Sequence, residues 1–220
     1  MISAQRLVCF DVDSTLLAVE SLDFALVRKL GPSVRERIDR LTSGGMNGTL
    51  SFRQSLIARL DLATLKRGDI AAAAIELREQ ITPGMPELLT ALRQRGDRVC
   101  AISGGFADLL RLALRDLGFE ATDIFANTFL WEGETVAGID VSNPLSDNGG
   151  KPDILSRIGR QGDHAAIWMV GDGVTDLETL TAGAADHFIG FGAIARREAV
   201  AERAPDYAET VEALARSLLG

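Results

Sequence analysis

A chain of 220 residues can bury a core without help from metals or cross-links, and 46% hydrophobic with 25% charged residues is a globular composition. The net charge of −8 sets its surface against nucleic acid and anionic membranes, and no apolar stretch reaches the ~18–20 residues of a bilayer span. The first residues lead straight into strand-like sequence rather than into a signal peptide. A cytoplasmic protein, monomer or homodimer, is therefore expected, with neither nucleic acid nor membrane as a partner.

In chain order, the run Leu7-Val8-Cys9-Phe10 reads as a buried parallel strand and ends in two carboxylates, Asp11 and Asp13. From about Ala18 to Gln80 the pattern is helical with no convincing strand. Ser51 to Leu62 is amphipathic, and Asp69 is placed to cap a helix from Ile70 to Gln80. Thr82-Pro83-Gly84 marks the return to strand–helix alternation, with Pro86 in the first turn of a helix. Arg98 to Ile102 reads as a strand that ends at Ser103-Gly104-Gly105, and Asp108 to Leu117 as a helix stopped by Gly118. Phe129 to Ile139 has the look of a hairpin turning at Glu132-Gly133-Glu134. Ala165 to Val170 is a further strand followed by a helix to about Leu180, Phe188 to Phe191 a short strand, and Thr210 to Leu219 a closing helix. Such alternation predicts an α/β fold, a doubly wound Rossmann-like parallel sheet. Its catalytic core would comprise residues 1–17 and 81–220, with residues 18–80 inserted as a helical cap. Cys9 and Cys100 lie in separate apolar runs and read as two buried thiols without metal-ligand spacing.

Ligands of open α/β sheets bind beyond the carboxyl ends of the strands, which is where Asp11 and Asp13 fall. Gly171-Asp172-Gly173-Val174-Thr175-Asp176 follows a second strand in the same way. Two acidic clusters at strand ends can converge on one divalent cation, and Mg²⁺ is a hard ion suited to carboxylate and phosphate oxygens. Ser103-Gly104 sits where a strand passes into a helix, a natural phosphate cradle. Phe52, Leu56 and Arg59 share one helix face. Arg59 either lies along the surface with its head in water or faces a closed pocket and holds a carboxylate. Glu20 reads either as an acid near a helix N-terminus or as a partner for an ammonium group.

The set Asp11-Val12-Asp13-Ser14-Thr15, Ser103, Lys151 and Gly171-Asp172-Gly173-Val174-Thr175-Asp176, in that order, resembles the haloacid dehalogenase-like (HAD) phosphatases. Within them, Asp11 to Glu20, Gly45-Met46-Asn47-Gly48, Phe52 with Arg59, Thr82-Pro83-Gly84, Ile102 to Phe106, Phe125-Ala126-Asn127 and Phe188 to Gly192 look like the phosphoserine phosphatase family, from about residue 7 to 210. The resemblance implies Mg²⁺-dependent hydrolysis of O-phospho-L-serine through an aspartyl-phosphate, the last step of L-serine biosynthesis. It implies Asp11 as nucleophile and Asp13 as acid and base. Asp11, the Asp13 backbone carbonyl and Asp172 would hold Mg²⁺, and Asp176 would orient its surroundings. Ser103, Gly104 and Lys151 would bind the phosphoryl group. Glu20 would take the amine and Arg59 the carboxylate, while Phe52 and Met46 line the pocket and Thr175 and Gly173 lie near the serine moiety and phosphate. Asn47 departs from the small residue often found after the cap methionine. Three rivals share parts of this pattern: a phosphotransferase using phosphoserine as donor, a phosphatase for another small metabolite, and a phosphoryl-accepting signalling module. The helical insert and Asp13 both weigh against the last.

Overall fold

The computed structural model describes residues 5–46, 49–162 and 164–220, without the side chain of Met46. Its strands are β1 (Gln5–Phe10), β2 (Arg98–Phe106), β3 (Ile124–Asn127), β4 (Phe129–Glu132), β5 (Thr135–Ile139), β6 (His164–Gly171), β7 (His187–Phe191) and β8 (Asp206–Ala208). Its α-helices are α1 (Ser21–Leu30), α2 (Arg35–Met46), α3 (Phe52–Leu60), α4 (Arg67–Glu76), α5 (Met85–Gln94), α6 (Ala107–Asp116), α7 (Gly150–Gly159), α8 (Val174–Thr181), α9 (Glu198–Ala201) and α10 (Val211–Leu219).

Six strands form one parallel sheet in the order β3-β2-β1-β6-β7-β8. The chain winds outward from β1 through β2 to β3, then returns to the other side of β1 with β6. That reversal puts the topological switch point beside β1, where α/β sheets keep their ligand crevice. Side chains alternate between the faces of a strand. Val8 and Phe10 accordingly enter an apolar layer shared with α5, α6, α10 and the helices of the 18–80 segment, whereas Leu7 and Cys9 enter a second layer with Leu155 of α7 and Leu177 of α8. Both faces of β1 are buried, which is why its sequence is an unbroken apolar run.

The segment from 18 to 80 contains α1 to α4 and leaves and rejoins the sheet through one narrow neck. Leu17 bridges Ile81, the Ala18 amide donates to the Gln80 carbonyl at 2.8 Å, and the Thr82 amide donates to the Leu16 carbonyl at 2.9 Å. The local start signals are chemical. Ser51 caps α3: its Oγ accepts from the Gln54 amide at 3.1 Å while the Gln54 side chain accepts from the Ser51 amide at 2.9 Å.

Some expectations shift. Asp69 lies inside the first turn of α4 rather than ahead of it, and its carboxylate reaches back to the Lys66 amide at 2.9 Å. β2 does not stop at Ser103 but runs on to Phe106, with its register against β3 breaking between Ile102 and Phe106. Cys9 and Cys100 are buried as expected but are not separate thiols. They are register partners on β1 and β2, with Cα atoms 4.7 Å apart, and are joined as a disulfide. Ninety-one positions separate them in sequence, so only the parallel register reveals that they meet. The β4–β5 hairpin forms as expected, turning at Gly133-Glu134.

The Ser51 cap starts the helix that carries Phe52 and Arg59. Ser51→Ala is expected to lower stability by about 1 kcal/mol, read as a lower urea midpoint at unchanged m-value.

Candidate active site

Three neighbouring strands deliver the site. β1 ends at Phe10 and hands the chain to Asp11, whose amide donates to the Val170 carbonyl of β6 at 2.8 Å. β6 ends at Gly171, one residue before Asp172, and on the other side β2 carries Ser103 and Gly104. After Asp11 the chain makes one irregular helical turn, Val12–Leu16, in which Ser14 takes φ of 55°. Left-handed backbone is costly for a residue with a Cβ. Here it turns the chain so that the Ser14 hydroxyl donates to Glu20 Oε1 at 2.9 Å.

Asp11, Asp13, Glu20, Phe52, Arg59, Ser103, Gly104, Lys151, Asp172, Gly173, Thr175 and Asp176 all line one cavity of about 40 Å³. The side chain of Met46 lies outside the described residues. Lys151, in the first turn of α7, is the central contact. Its Nζ donates to Asp11 Oδ1 at 2.7 Å and to Asp176 Oδ1 at 2.6 Å. Burial alone would push this lysine's pKa down, but the two carboxylates reverse that and hold it above the ordinary lysine value. Burial and the Asp11 charge push Asp176 up to about 7 in spite of the lysine.

Asp13 faces the opposite way, toward α1. The Ser21 amide donates to its Oδ1 at 3.0 Å and the Ser21 hydroxyl to its Oδ2 at 3.1 Å. Burial, then the charges of Glu20 and Asp11, push the Asp13 carboxyl well above the usual range. That shift favours the protonated form, the direction a general acid needs. Gly105 is obligatory beside it: a Cβ there would stand 2.7 Å from Asp13 Oδ2 and 3.1 Å from Ser103 Oγ. Gly104 is restricted too, because a Cβ would run into the Phe52 ring. Ser103 Oγ accepts from the Gly105 amide at 2.9 Å, and Asn127 Nδ2 holds the strand end by donating to the Gly104 carbonyl at 2.8 Å and the Leu145 carbonyl at 2.9 Å.

Asp11, Asp172 and Asp176 are buried, and one carboxylate oxygen of each lies within 4.8 Å of the others. This all-oxygen donor set fits a hard divalent cation. Asp176 has both oxygens engaged, Oδ1 by Lys151 and Oδ2 by the Gly173 amide at 3.0 Å, which leaves Asp11 and Asp172 the freer pair. Asp172 is pushed well above the usual carboxylate range, first by burial and further by neighbouring acids, against the pull of Arg197.

Three features go beyond the sequence reading. Arg197 Nε donates to Asp172 Oδ2 at 2.6 Å and its Nη2 to Glu20 Oε1 at 3.2 Å. Arg196 beside it is exposed, and nothing in the sequence separates the two; only the loop's position after β7, at the ligand edge of the sheet, points to it. Ser21 was hidden as an ordinary helix-start residue. Arg59 is buried, as the pocket-facing of its two readings has it, and what the sequence did not show is its partner: Nη1 donates to Asp23 at 2.8 Å.

Removing the lysine would strand two buried carboxylates. In EDTA at about pH 8, Lys151→Met is expected to cost roughly 3–5 kcal/mol of stability. The cost should shrink toward about pH 5: the folded variant holds a proton on Asp176 that the unfolded chain, titrating near 3.9, has already lost, so stability falls as pH rises. Urea unfolding at the two pH values checks both statements.

The family model of haloacid dehalogenase-like hydrolases matches residues 8–181. Human phosphoserine phosphatase is 35% identical over 202 residues, 91% of this chain and 87% of the human protein. The chloroplastic phosphoserine phosphatase of Arabidopsis thaliana is also 35% identical, over 96% of this chain and 71% of its own. Among solved structures, a phosphoserine phosphohydrolase-like protein from Francisella tularensis superposes with a TM-score of 0.88 at 28% identity, covering 97% of this chain and 99% of that one. A substrate-bound phosphoserine phosphatase superposes with a TM-score of 0.80 at 27% identity, covering 94% and 93%.

Proposed function

We infer the reaction of a chain that belongs to the haloacid dehalogenase-like hydrolase family, and within it to the phosphoserine phosphatases: it hydrolyses O-phospho-L-serine to L-serine and phosphate. The observation that carries the residue-level reading is Lys151 clamped between Asp11 and Asp176 at the switch point of the sheet. A lysine so placed orients the Asp11 side chain and offers positive charge to an arriving phosphoryl group.

In this reading Asp11 Oδ attacks phosphorus and the bond from phosphorus to the serine oxygen breaks. Asp13, protonated by its surroundings, gives its proton to that oxygen, and serine leaves as the alcohol. Asp13, now a carboxylate, takes a proton from water as the water oxygen attacks phosphorus. Phosphate departs and the Asp11 carboxylate is restored. Ser103 and the Gly104 amide cradle the phosphoryl oxygens. Asp11, the Asp13 carbonyl and Asp172 would hold Mg²⁺, with Asp176 behind them keeping Lys151 in place. When bound, the ion offsets charge on the transferring phosphoryl group.

Residues 18–80 act as the cap over a core of 1–17 and 81–220. Phe52 closes over Gly104, Glu20 takes the substrate ammonium and Arg59 its carboxylate. The pocket is lined from both cap and core, so the cap opens to admit substrate and closes to control water.

Phosphate release from phosphoserine is expected to require Mg²⁺ and to stop in EDTA. Asp11→Asn, folded by circular dichroism, should lose at least ~10³-fold in kcat. Retained turnover in that variant would remove Asp11 as nucleophile. Arg59→Ala should cost about 2–4 kcal/mol in kcat/KM for phosphoserine and much less for phosphoethanolamine, which has no carboxylate. Equal losses on both would remove the carboxylate role of Arg59.

A further inference from the structure

The side chain of Asp23 in α1 is held from two other helices. Its Oδ1 accepts from Arg59 Nη1 of α3 at 2.8 Å, and its Oδ2 accepts from Thr42 Oγ1 of α2 at 2.7 Å. One carboxylate therefore ties α1, α2 and α3 together. Asp23 does not line the catalytic cavity, whereas Arg59 does.

A guanidinium is planar, so contacts at Nη1 and Nε together set its plane and the direction of the remaining nitrogen. Arg59 is 4% exposed, and a buried cation is stable only beside a counter-charge. Ser55 is a weak second hold, its carbonyl 3.4 Å from Arg59 Nε. Asp23 thus supplies both the charge that keeps Arg59 in the pocket wall and the contact that aims it. Thr42 in turn keeps the Asp23 carboxylate from rotating off the arginine. Glu20, three residues before Asp23, feels the same charge: after burial, Asp23 is the largest influence raising its carboxyl. The groups read as receiving the substrate's amine and its carboxylate are therefore set by a shared neighbour.

We propose that Asp23 is a specificity-determining positioning residue, which with Thr42 aims Arg59 at the carboxylate of an amino-acid phosphate. This rests on the reading of Arg59 as the carboxylate-binding group. It separates recognition from chemistry, because Asp23 acts on the groups read as binding the substrate's carboxylate and amine and touches none of the reacting ones.

The test compares phosphoserine with phosphoethanolamine, which keeps the phosphate and the ammonium but lacks the carboxylate. Asp23→Asn is expected to lower the ratio of kcat/KM for phosphoserine over phosphoethanolamine about tenfold or more, chiefly through KM for phosphoserine. Asp23→Glu, which keeps the charge, should restore part of the ratio. Thr42→Val should shift it in the same direction by less, and decides the matter if Asp23→Asn fails to fold. A merely structural role would lower both substrates by the same factor, and an unchanged ratio in Asp23→Asn, or in Thr42→Val where that variant decides, overturns the proposal. Arg59→Ala run alongside separates the two levels. A ratio that moves in Arg59→Ala but not in Asp23→Asn sinks the role of Asp23 alone, and a ratio that moves in neither sinks the carboxylate reading with it.

Discussion

Four carboxylates, Asp11, Asp13, Asp172 and Asp176, are crowded at one edge of the sheet, three of them buried, and Lys151 is the cation set between two of these. Like charges taken out of water repel strongly, so the rest of the edge is arranged around relieving them. Asp13 is turned toward Ser21, whose amide and hydroxyl both donate to it. Asp176 is held by the lysine and the Gly173 amide. Asp172 is met by Arg197. Even the turn before the lysine follows from this requirement. Gly149 takes positive φ, and Gly150 packs so tightly on the Pro144 backbone that a Cβ has no space. The close approach sets where α7 begins and hence where the ammonium points.

The same stretch of chain meets the 18–80 segment. The Phe52 amide donates to Asn148 Oδ1 at 3.0 Å, and Arg53 Nη2 donates to Ser146 Oγ at 3.0 Å. The start of α3 is thus seated on the loop that leads into Lys151, while the Phe52 ring lies against Gly104 on the far side of the pocket. Seating of the 18–80 segment and placement of the lysine share one set of contacts. The helix that starts at Phe52 also carries Arg59, so a single element places both of these pocket-lining side chains.

The catalytic edge was legible in the sequence because its signals are local. An apolar run followed by Asp-x-Asp, a strand followed by Ser-Gly-Gly, and Gly-Asp-Gly-x-x-Asp each declare a strand end with chemistry on it, and parallel strands bring such ends together. What was not legible depends on register or on side-chain partners distant in sequence. Cys9 and Cys100 meet only because β1 and β2 are in register. Asp23 and Arg59 lie on different helices, 36 positions apart, and neither spacing nor composition hints at the pair. Arg197 stands beside Arg196 in a charged loop, and only the folded loop decides which of them faces inward. The extension of β2 through two glycines defies propensity; it has no register partner in β3 until Phe106, and the Asn127 side chain holds it at the Gly104 carbonyl.

β1 is the first strand of the chain and the centre of the sheet. Its partners, β2 and β6, begin at Arg98 and His164. During synthesis this apolar strand leaves the ribosome long before either neighbour exists, whereas the helices of 18–80 form from nearby sequence. The helices of 18–80 rest on contacts close in sequence, whereas β1 is paired on both sides only once β2 and then β6 have been made. A high separation between contacting residues slows folding, and an unpaired apolar strand is prone to pair with other chains while it waits. The position of Asp11 at the middle of the sheet thus carries a cost in folding time.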